Sequence, residues 1–494
     1  MLNTCVFFDE ITIWWERFAS PDEEYEISLD EKLCDKTRKT HYTFSHLESG
    51  REYSVKIKVT LSGEKGFCIE EKITTKKAKK RIDVSAEPYF AVADGVTVNT
   101  EAIQRAIDDS DADSYVYFPE GRYLTGALDL HSNTELYIDE GSTLLGSESP
   151  ADYLPKIKSR FEGTEMECYR SLINIGTLDR EKYTVENVII RGKGAIYGGG
   201  AALAKATIER EREALKKHLL ENAEYVKTCE NEDTIPGRAR GRLINISSAN
   251  SVVIAGLALG YGASWNVHFI YSKNITTYGC LISSRGVWNG DGWDPDSSED
   301  AVIFDTTFDT HDNAIAIKSG KNPEGNEIGI PTRNIRIFDC RGRNDIAIGS
   351  ELSGGIDRVY VRDCCFLNSW GINIKTTADR GGYIRNVDVR DSELSSVTLR
   401  TRINFNNDNT PAGYLTDIQG LRFENLTLQG VFMNANDERM LISPISIDGF
   451  DDRNTKIRDV IFKGIKILPR EDGEMQTIKC RNVKGLSLED IELL

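Results

Sequence analysis

From residue 253 onward the chain repeats one short pattern, a run of β-forming residues followed by a small side chain five positions after the run begins. The runs start at Val253, Ile275, Val302, Ile335, Val359, Val387, Leu421, Val460 and Leu486, in steps of 22 to 39 residues. A segment that short buries its apolar face only against copies of itself, so strand repeats of this length predict a solenoid. Ala258, Cys280, Thr307, Cys340, Cys364 and Ser392 hold one position in six consecutive runs. They are expected to stack as an internal ladder of a parallel β-helix. On this reading Cys280, Cys340 and Cys364 are core, and with no paired C-x-x-C spacing beside them a metal site is not expected.

Ahead of the repeat the pattern differs. Residues 1–77 alternate apolar and polar over short runs (ITIWWERF, EYEISLD, THYTFSHL, REYSVKIKVT, CIEEKITT) separated by turn residues, which predicts a small β-sandwich. The stretch TFSHLESGREYSVKIKV resembles the fibronectin type III pattern, with Leu47 and Tyr53 at its leucine and tyrosine-corner positions. The basic run KKAKKR (76–81) reads as solvated, giving a linker at 78–82 and a solenoid over 83–494. Within the latter, TEAIQRAID (100–108) has helical spacing behind Thr100 as N-cap candidate. Charge-rich sequence near 202–228 predicts a helical insertion.

Acidic side chains outnumber basic ones by 78 to 61, a net charge of −17. Such a surface repels polyanions, so neither nucleic acid nor a membrane is an expected partner. The opening residues, MLNTCVFFDEITIWWERF, lack the basic stretch and apolar run of an export signal. A cytoplasmic location, with the ten cysteines reduced, is the expectation.

Two polar knots interrupt the repeat, NGDGWDPDS (289–297) and FDTHDNAIAIKSG (308–320). Asp291 and Asp312 are 21 residues apart, close to one coil, and stacked strands lie about 4.8 Å apart. Both carboxylates should therefore project from neighbouring loops on one face. A carboxylate pair suits glycoside hydrolysis, in which one protonates the leaving oxygen and the other activates water or attacks. Like charges held close raise one pKa, as a general acid requires.

The stretch WNGDGWDPDSSEDAVIFDTTFDTHDNAIAIKSGKN (288–322), with SWNVH (264–268), IGSELSGGI (348–356) and NIKTTADRGGYIRNV (373–387), resembles the polygalacturonase-like glycoside hydrolases of family 28. IDVSAEPYFAVADGVTVNTEAIQRAID and YFPEGRYLTGALDLHS fit the bacterial exo-acting members. The resemblance implies an all-β chain, a right-handed parallel β-helix behind the small sandwich, that hydrolyses pectic bonds with inversion and with no metal or cofactor. The family motifs N-T-D, D-D, G-H-G and R-I-K fall at Asn289-Gly290-Asp291, Asp312-Asn313, Arg343-Asn344-Asp345 and Asn373-Ile374-Lys375. Here the second aspartate is Asn313, the histidine is absent, and Asn373 replaces the arginine.

By resemblance Asp312 is the general acid, Asp291 activates water, and Asn289 and Lys375 hold the sugar. Asn313 can orient that water but cannot take its proton. Asn373, His311 and His268 are further candidates for sugar contact, and Arg343, Arg380 and Arg385 for holding an anionic sugar. Glu351 reads as a loop anchor rather than a spare carboxylate. The expected activity is exo-acting removal of a terminal sugar, galacturonate, from a pectic oligosaccharide. The alternatives are release of a neutral pentose or deoxyhexose from plant glycosides, a β-eliminating lyase, and a non-catalytic carbohydrate-binding β-helix. The lyase would need a calcium constellation that the sequence does not offer.

Overall fold

The computed structural model describes residues 2–17, 23–60, 67–224, 237–402, 410–433, 438–451, 456–470, 472–474 and 476–494. It divides into two compact units, Met1–Arg81 with Asp113–Tyr115, and Ile82–Ala112 with Val116–Leu494.

The first unit holds two antiparallel sheets. Asn3–Val6, Glu10–Trp14 and His41–Ser45 form one, and Lys32–Thr37, Glu24–Leu29, Glu52–Thr60 and Cys68–Thr74 the other. Alternate residues meet in one core that includes Ile11, Ile13, Trp15, Tyr25 and Ile57, as period-two patterning requires. Lys32–Thr37 escaped the sequence reading because KLCDKT is exposed along nearly its whole length and carries no alternation. Of the expected linker, residues 80–82 fall in the strand Lys80–Asp83, and Ile82 belongs to the core of the second unit.

The second unit is a right-handed parallel β-helix. A coil contributes three strands: Ala249–Ala255, Ala258–Gly260 and Val267–Ile270 pair in parallel with Lys273–Tyr278, Leu281–Ser283 and Trp293–Asp296 of the next. The first strands stack Ile275, Ala301, Ile335, Val359, Val387, Leu421, Val460 and Leu486 in one column.

That register corrects the ladder. Its members are Leu257, Cys280, Thr306, Cys340, Cys364 and Ser392, all buried, whereas Ala258 and Thr307 lie one residue on and pair with Leu281. The sequence frame started on Val253 and Val302, but Val252 and Ala301 are the partners of Ile275. A one-residue slip turns a strand side chain to the opposite face.

The ladder has a physical cause. Gly279, Asp305, Asp339, Asp363 and Asp391 turn the corner with φ between 46° and 63°, a region that Gly and Asp enter at least cost. The next residue then donates its hydroxyl or thiol to the carbonyl two residues back. The bonds run Cys280–Tyr278 at 3.3 Å, Thr306–Phe304 at 2.9 Å, Cys340–Phe338 at 3.5 Å, Cys364–Arg362 at 3.2 Å and Ser392–Arg390 at 2.7 Å.

The first helix is Thr100–Asp108, with Asn99 rather than Thr100 at the N-cap position and no side-chain cap bond, while the Thr100 hydroxyl accepts Gly126 N at 2.7 Å. The insertion is helical over Gly200–Ala214 and Lys216–Glu221, and its expected end at 225–228 lies outside the described residues. Among the described residues no helix is long and apolar enough to cross a membrane.

Candidate active site

The third strand of successive coils carries the site. In Val267–Ile270, Trp293–Asp296, Ile315–Ile317, Ile346–Ile348, Ile372–Lys375 and Val397–Arg400 the first residues are all buried, so alternation turns the intervening side chains outward. Register stacks His268 on Asp294, Asp296 on Lys318, and Lys375 on Arg400. The turns entering these strands bring Asp291, Asn313 and Asp345 to adjacent coils. There Gly292 N donates to Asn313 O and Ala314 N to Asp345 O, both at 3.0 Å.

Two adjoining pockets result. The smaller, ≈ 180 Å³, includes Asn289, Asp291, Lys318, Glu351 and Arg380 in its lining. The larger, ≈ 490 Å³, includes His311, Arg343, Asp345, Asn373 and Arg400. Asp312, Asn313 and Lys375 line both and form the saddle between them. Asp312 is held there by its turn: Oδ1 accepts Asn313 N at 2.8 Å, and its carbonyl accepts Thr310 Oγ1 and Asn344 Nδ2, each at 2.7 Å.

Charge in the first pocket is dense and buried. Asp291 is buried, with Oδ1 unpartnered and Oδ2 3.5 Å from Lys318 Nζ. Burial, then the charge of Asp312, pushes its pKa up to about 7 against the pull of Lys318 and Lys375. Lys318 Nζ also lies 3.8 Å from Glu351 Oε1 and 4.4 Å from the centre of the Trp265 ring. Burial opposes its charge, but Glu351, Asp291 and Asp294 hold its pKa above the lysine range. Asp294 has both oxygens buried without a partner, and burial followed by the Asp291 charge raises its pKa well above normal.

A hairpin, Ile157–Phe161 and Thr164–Cys168, closes over this end. Its two-residue tip, Glu162-Gly163, has φ of 47° and 81°, the type I′ geometry that matches strand twist. Buried Arg160 on the hairpin donates to Asp296 Oδ1 at 2.7 Å and Tyr271 Oη at 2.5 Å. Burial alone would raise the Asp296 pKa, but Arg160 and His268 hold it below the carboxylate range. At the tip Glu162 pairs with Arg238 (Nε to Oε2 2.7 Å), and both line the first pocket.

The expected site residues fall into distinct places. Asn289 lines the first pocket, with Oδ1 accepting from Arg240 Nη2 at 2.7 Å. Arg380 is there too, fixed by Ser350 O at 2.6 Å and Asn322 Oδ1 at 2.8 Å. Glu351 combines both roles weighed for it: its carbonyl accepts Ser319 N at 2.7 Å, and its carboxylate faces Lys318. His311 and Arg343 border the second pocket. Two residues do not reach the cleft. His268 is 0 % exposed, 4.8 Å from the Trp265 ring, and burial drives its pKa down to about 4. Arg385 pairs with Asp417 at 3.1 Å and lines neither pocket.

Two of the departures from the family motifs, Asn313 and Asn373, are joined in one hydrogen-bond chain through Asp345. Lys375 Nζ donates to Asn313 Oδ1 at 3.1 Å, and Asn313 Nδ2 to Asp345 Oδ1 at 3.0 Å. Asn373 Nδ2 donates to Asp345 Oδ2 at 2.7 Å, and Arg400 Nη2 to Asn373 Oδ1 at 3.0 Å. The carboxylate missing at 313 stands at 345, and the cation missing at 373 stands at 400. Both ends of the Asn313 amide are therefore engaged by protein.

Sequence reasoning passed over Lys318, Asp294, Arg400 and the hairpin. A legible signal existed for three of them: I-A-I-K (315–318) repeats the I-N-I-K of 372–375, and V-T-L-R (397–400) repeats it again. The hairpin was announced by F-E-G-T, a two-residue turn with Gly between alternating strands.

Chemically, the saddle can deliver a proton from Asp312 to an oxygen lying over it, while Asp291 takes one from water in the first pocket. A family model described as "Glycosyl hydrolases family 28" matches residues 160–489, and one described as "Rhamnogalacturonase A/epimerase, pectate lyase-like" matches 84–145. A probable polygalacturonase of Vitis vinifera is 28% identical over 419 residues, 79% of either chain. The exo-poly-alpha-D-galacturonosidase of Dickeya chrysanthemi is 25% identical over 446 residues, 85% of this chain and 73% of its own. Among solved structures, the family 28 exopolygalacturonase of Yersinia enterocolitica superposes with a TM-score of 0.81 at 21% identity, covering 99% of this chain and 96% of its own. The hyperthermoactive exopolygalacturonase of Thermotoga maritima gives 0.65 at 26% identity, covering 84% and 91%.

Proposed function

The chain belongs to glycosyl hydrolase family 28, and from that premise we propose that it is an exo-acting, inverting hydrolase that releases terminal galacturonate from pectic oligosaccharides. The observation that carries the reading is the placement of the two carboxylates: Asp291 lines the first pocket alone, Asp312 lines both. Water activated by Asp291 must stand beside the anomeric carbon, so the sugar being released occupies the first pocket. The bridging oxygen then lies over Asp312, and the leaving group extends into the second pocket. Asp312 gives its proton to that oxygen as the glycosidic bond breaks, and Asp291 takes a proton from water attacking the opposite face. The proton count of the pair is unchanged at the end.

Exo action is supported by the Glu162–Arg238 wall of the first pocket, which suits one terminal, non-reducing sugar. The names of the Dickeya and Thermotoga relatives point the same way. The test is trigalacturonate with early-time product NMR. Free galacturonate in the inverted anomeric form, with digalacturonate beside it, is expected; retention of configuration, or internal cuts in longer oligomers, sinks the reading.

The absence of charge at Asn373 favours a second reading, release of a neutral pentose or deoxyhexose. It would be established by a protein that ignores galacturonides yet frees such a sugar from plant glycosides. We also infer that the N-terminal unit is fibronectin type III-like, on the seven strands among its described residues and on Tyr53 Oη, which accepts Glu48 N at 2.8 Å.

A further inference from the structure

Arg400 is a cation of the second pocket that its own surroundings leave under-satisfied. Its guanidinium carbon lies 4.8 Å from the centre of the Trp370 ring, and Trp370 stacks on Phe432 at 4.6 Å. Among the described residues its side chain makes one hydrogen bond, to Asn373 Oδ1, and Nε is buried with no partner. Asp345, the buried carboxylate of the same pocket, already has both oxygens taken by Asn313 and Asn373. Arg285 at the rim is paired with Asp309 at 2.7 Å. Burial works against the charge of Arg400, and Asp345 restores part of it. A guanidinium so held gains from an incoming anion, because a bidentate carboxylate supplies both the charge and the acceptors it lacks.

We propose that Arg400 binds the carboxylate of the uronate in the leaving-group position, with Trp370 and Phe432 as the surface on which that sugar lies. Asp345 and Asn373 are positioning residues: their bonds fix the plane of the guanidinium. The register places Arg400 one coil beyond Lys375, so the two cations flank the leaving group in sequence. The charge that the motif carries at position 373 thus acts from the next coil. The inference rests on the reading that the leaving group occupies the second pocket.

The experiment compares digalacturonate with p-nitrophenyl galacturonide, whose leaving group has no carboxylate, in the wild type, Arg400→Gln and Arg400→Lys. Arg400→Gln should lose about 10- to 100-fold in kcat/KM on digalacturonate, mostly through KM, and far less on the aryl substrate. Arg400→Lys should recover only part of the loss, since a point charge lacks the planar fork. Equal losses on both substrates would overturn the proposal and make Arg400 a support of the pocket. A wild type that cleaves the aryl galacturonide but not digalacturonate overturns it while leaving the galacturonidase reading standing. Cleavage of neither overturns both.

Discussion

Asp291 concentrates the conflict between stability and chemistry in this cleft. Its carboxyl holds a proton to about pH 7 in the fold, whereas an unfolded aspartate loses it near 3.8. Between these values the folded state binds more protons than the unfolded one, so this group's contribution to stability falls as pH rises, on the order of 1 kcal/mol per unit, and levels off above 7. His268 acts with the opposite sign over most of that window, because its pKa is depressed from 6.5 to about 4. The clean measurement is therefore a difference. Asp291→Asn should melt above the wild type at pH 7, the advantage shrinking toward pH 4, while kcat falls by about 10²-fold or more. Lys318 keeps Glu351 as a partner in that variant. Asp312→Asn should lower kcat by about 10²–10⁴-fold with little change in melting temperature, since an amide oxygen still accepts the Asn313 N–H. Because Asp291 must be ionised to take a proton from water, kcat/KM should rise with pH through an apparent pKa near 7. A profile flat through pH 8 would separate the pair from the chemistry.

At the scale of elements, the hairpin Ile157–Cys168 places Glu162 in the wall of the first pocket. Its tip is seated by Lys321 N donating to Gly163 O at 2.9 Å. A Cβ at Gly163 would lie 2.6 Å from Lys321 Cβ, at a φ of +81° that side chains avoid. Gly163→Val should cost about 1–3 kcal/mol in denaturant unfolding. Displacing the tip should also let longer products appear among the monosaccharide released from oligogalacturonides. A variant with wild-type stability and an unchanged product pattern would show that the tip does not wall the pocket. The strands that hold the catalytic turns were easier to foresee than this hairpin. Their apolar alternation is repeated coil after coil, whereas the hairpin occurs once and its Arg160–Asp296 bond joins residues 136 apart in sequence.

For the whole molecule, the corner ladder explains how the solenoid uses its cysteines. Cys280, Cys340 and Cys364 are free thiols that sit on the ladder, donating to carbonyls as Thr306 and Ser392 do. Added reductant should therefore shift the melting temperature by less than about 1 °C, and Cys340→Ser should cost no more than about 1 kcal/mol because its hydroxyl can still donate to Phe338 O. A marked drop in the melting curve with reductant would reveal a bridge that this arrangement does not contain.

The sequence by itself determined what repeats. Coil-length spacing of β runs, a small residue behind each, and acidic turns one coil apart were enough for a solenoid with Asp291 and Asp312 on one face, because a stack of strands converts sequence period directly into position. Register was lost by a residue at Val253 and Val302, since either of two neighbouring residues in an apolar run can point inward until the next coil selects one. The tertiary structure alone decided the electrostatics. The pKa of Asp291, the buried acid of Asp294 and the row of Lys318, Lys375 and Arg400 depend on burial and on charges from other coils, quantities that no single stretch contains. The substitutions at 313 and 373 look like separate losses along the chain; stacking joins them through Asp345 in one hydrogen-bonded set, because residues 60 apart in sequence become neighbours when coils pack at strand spacing.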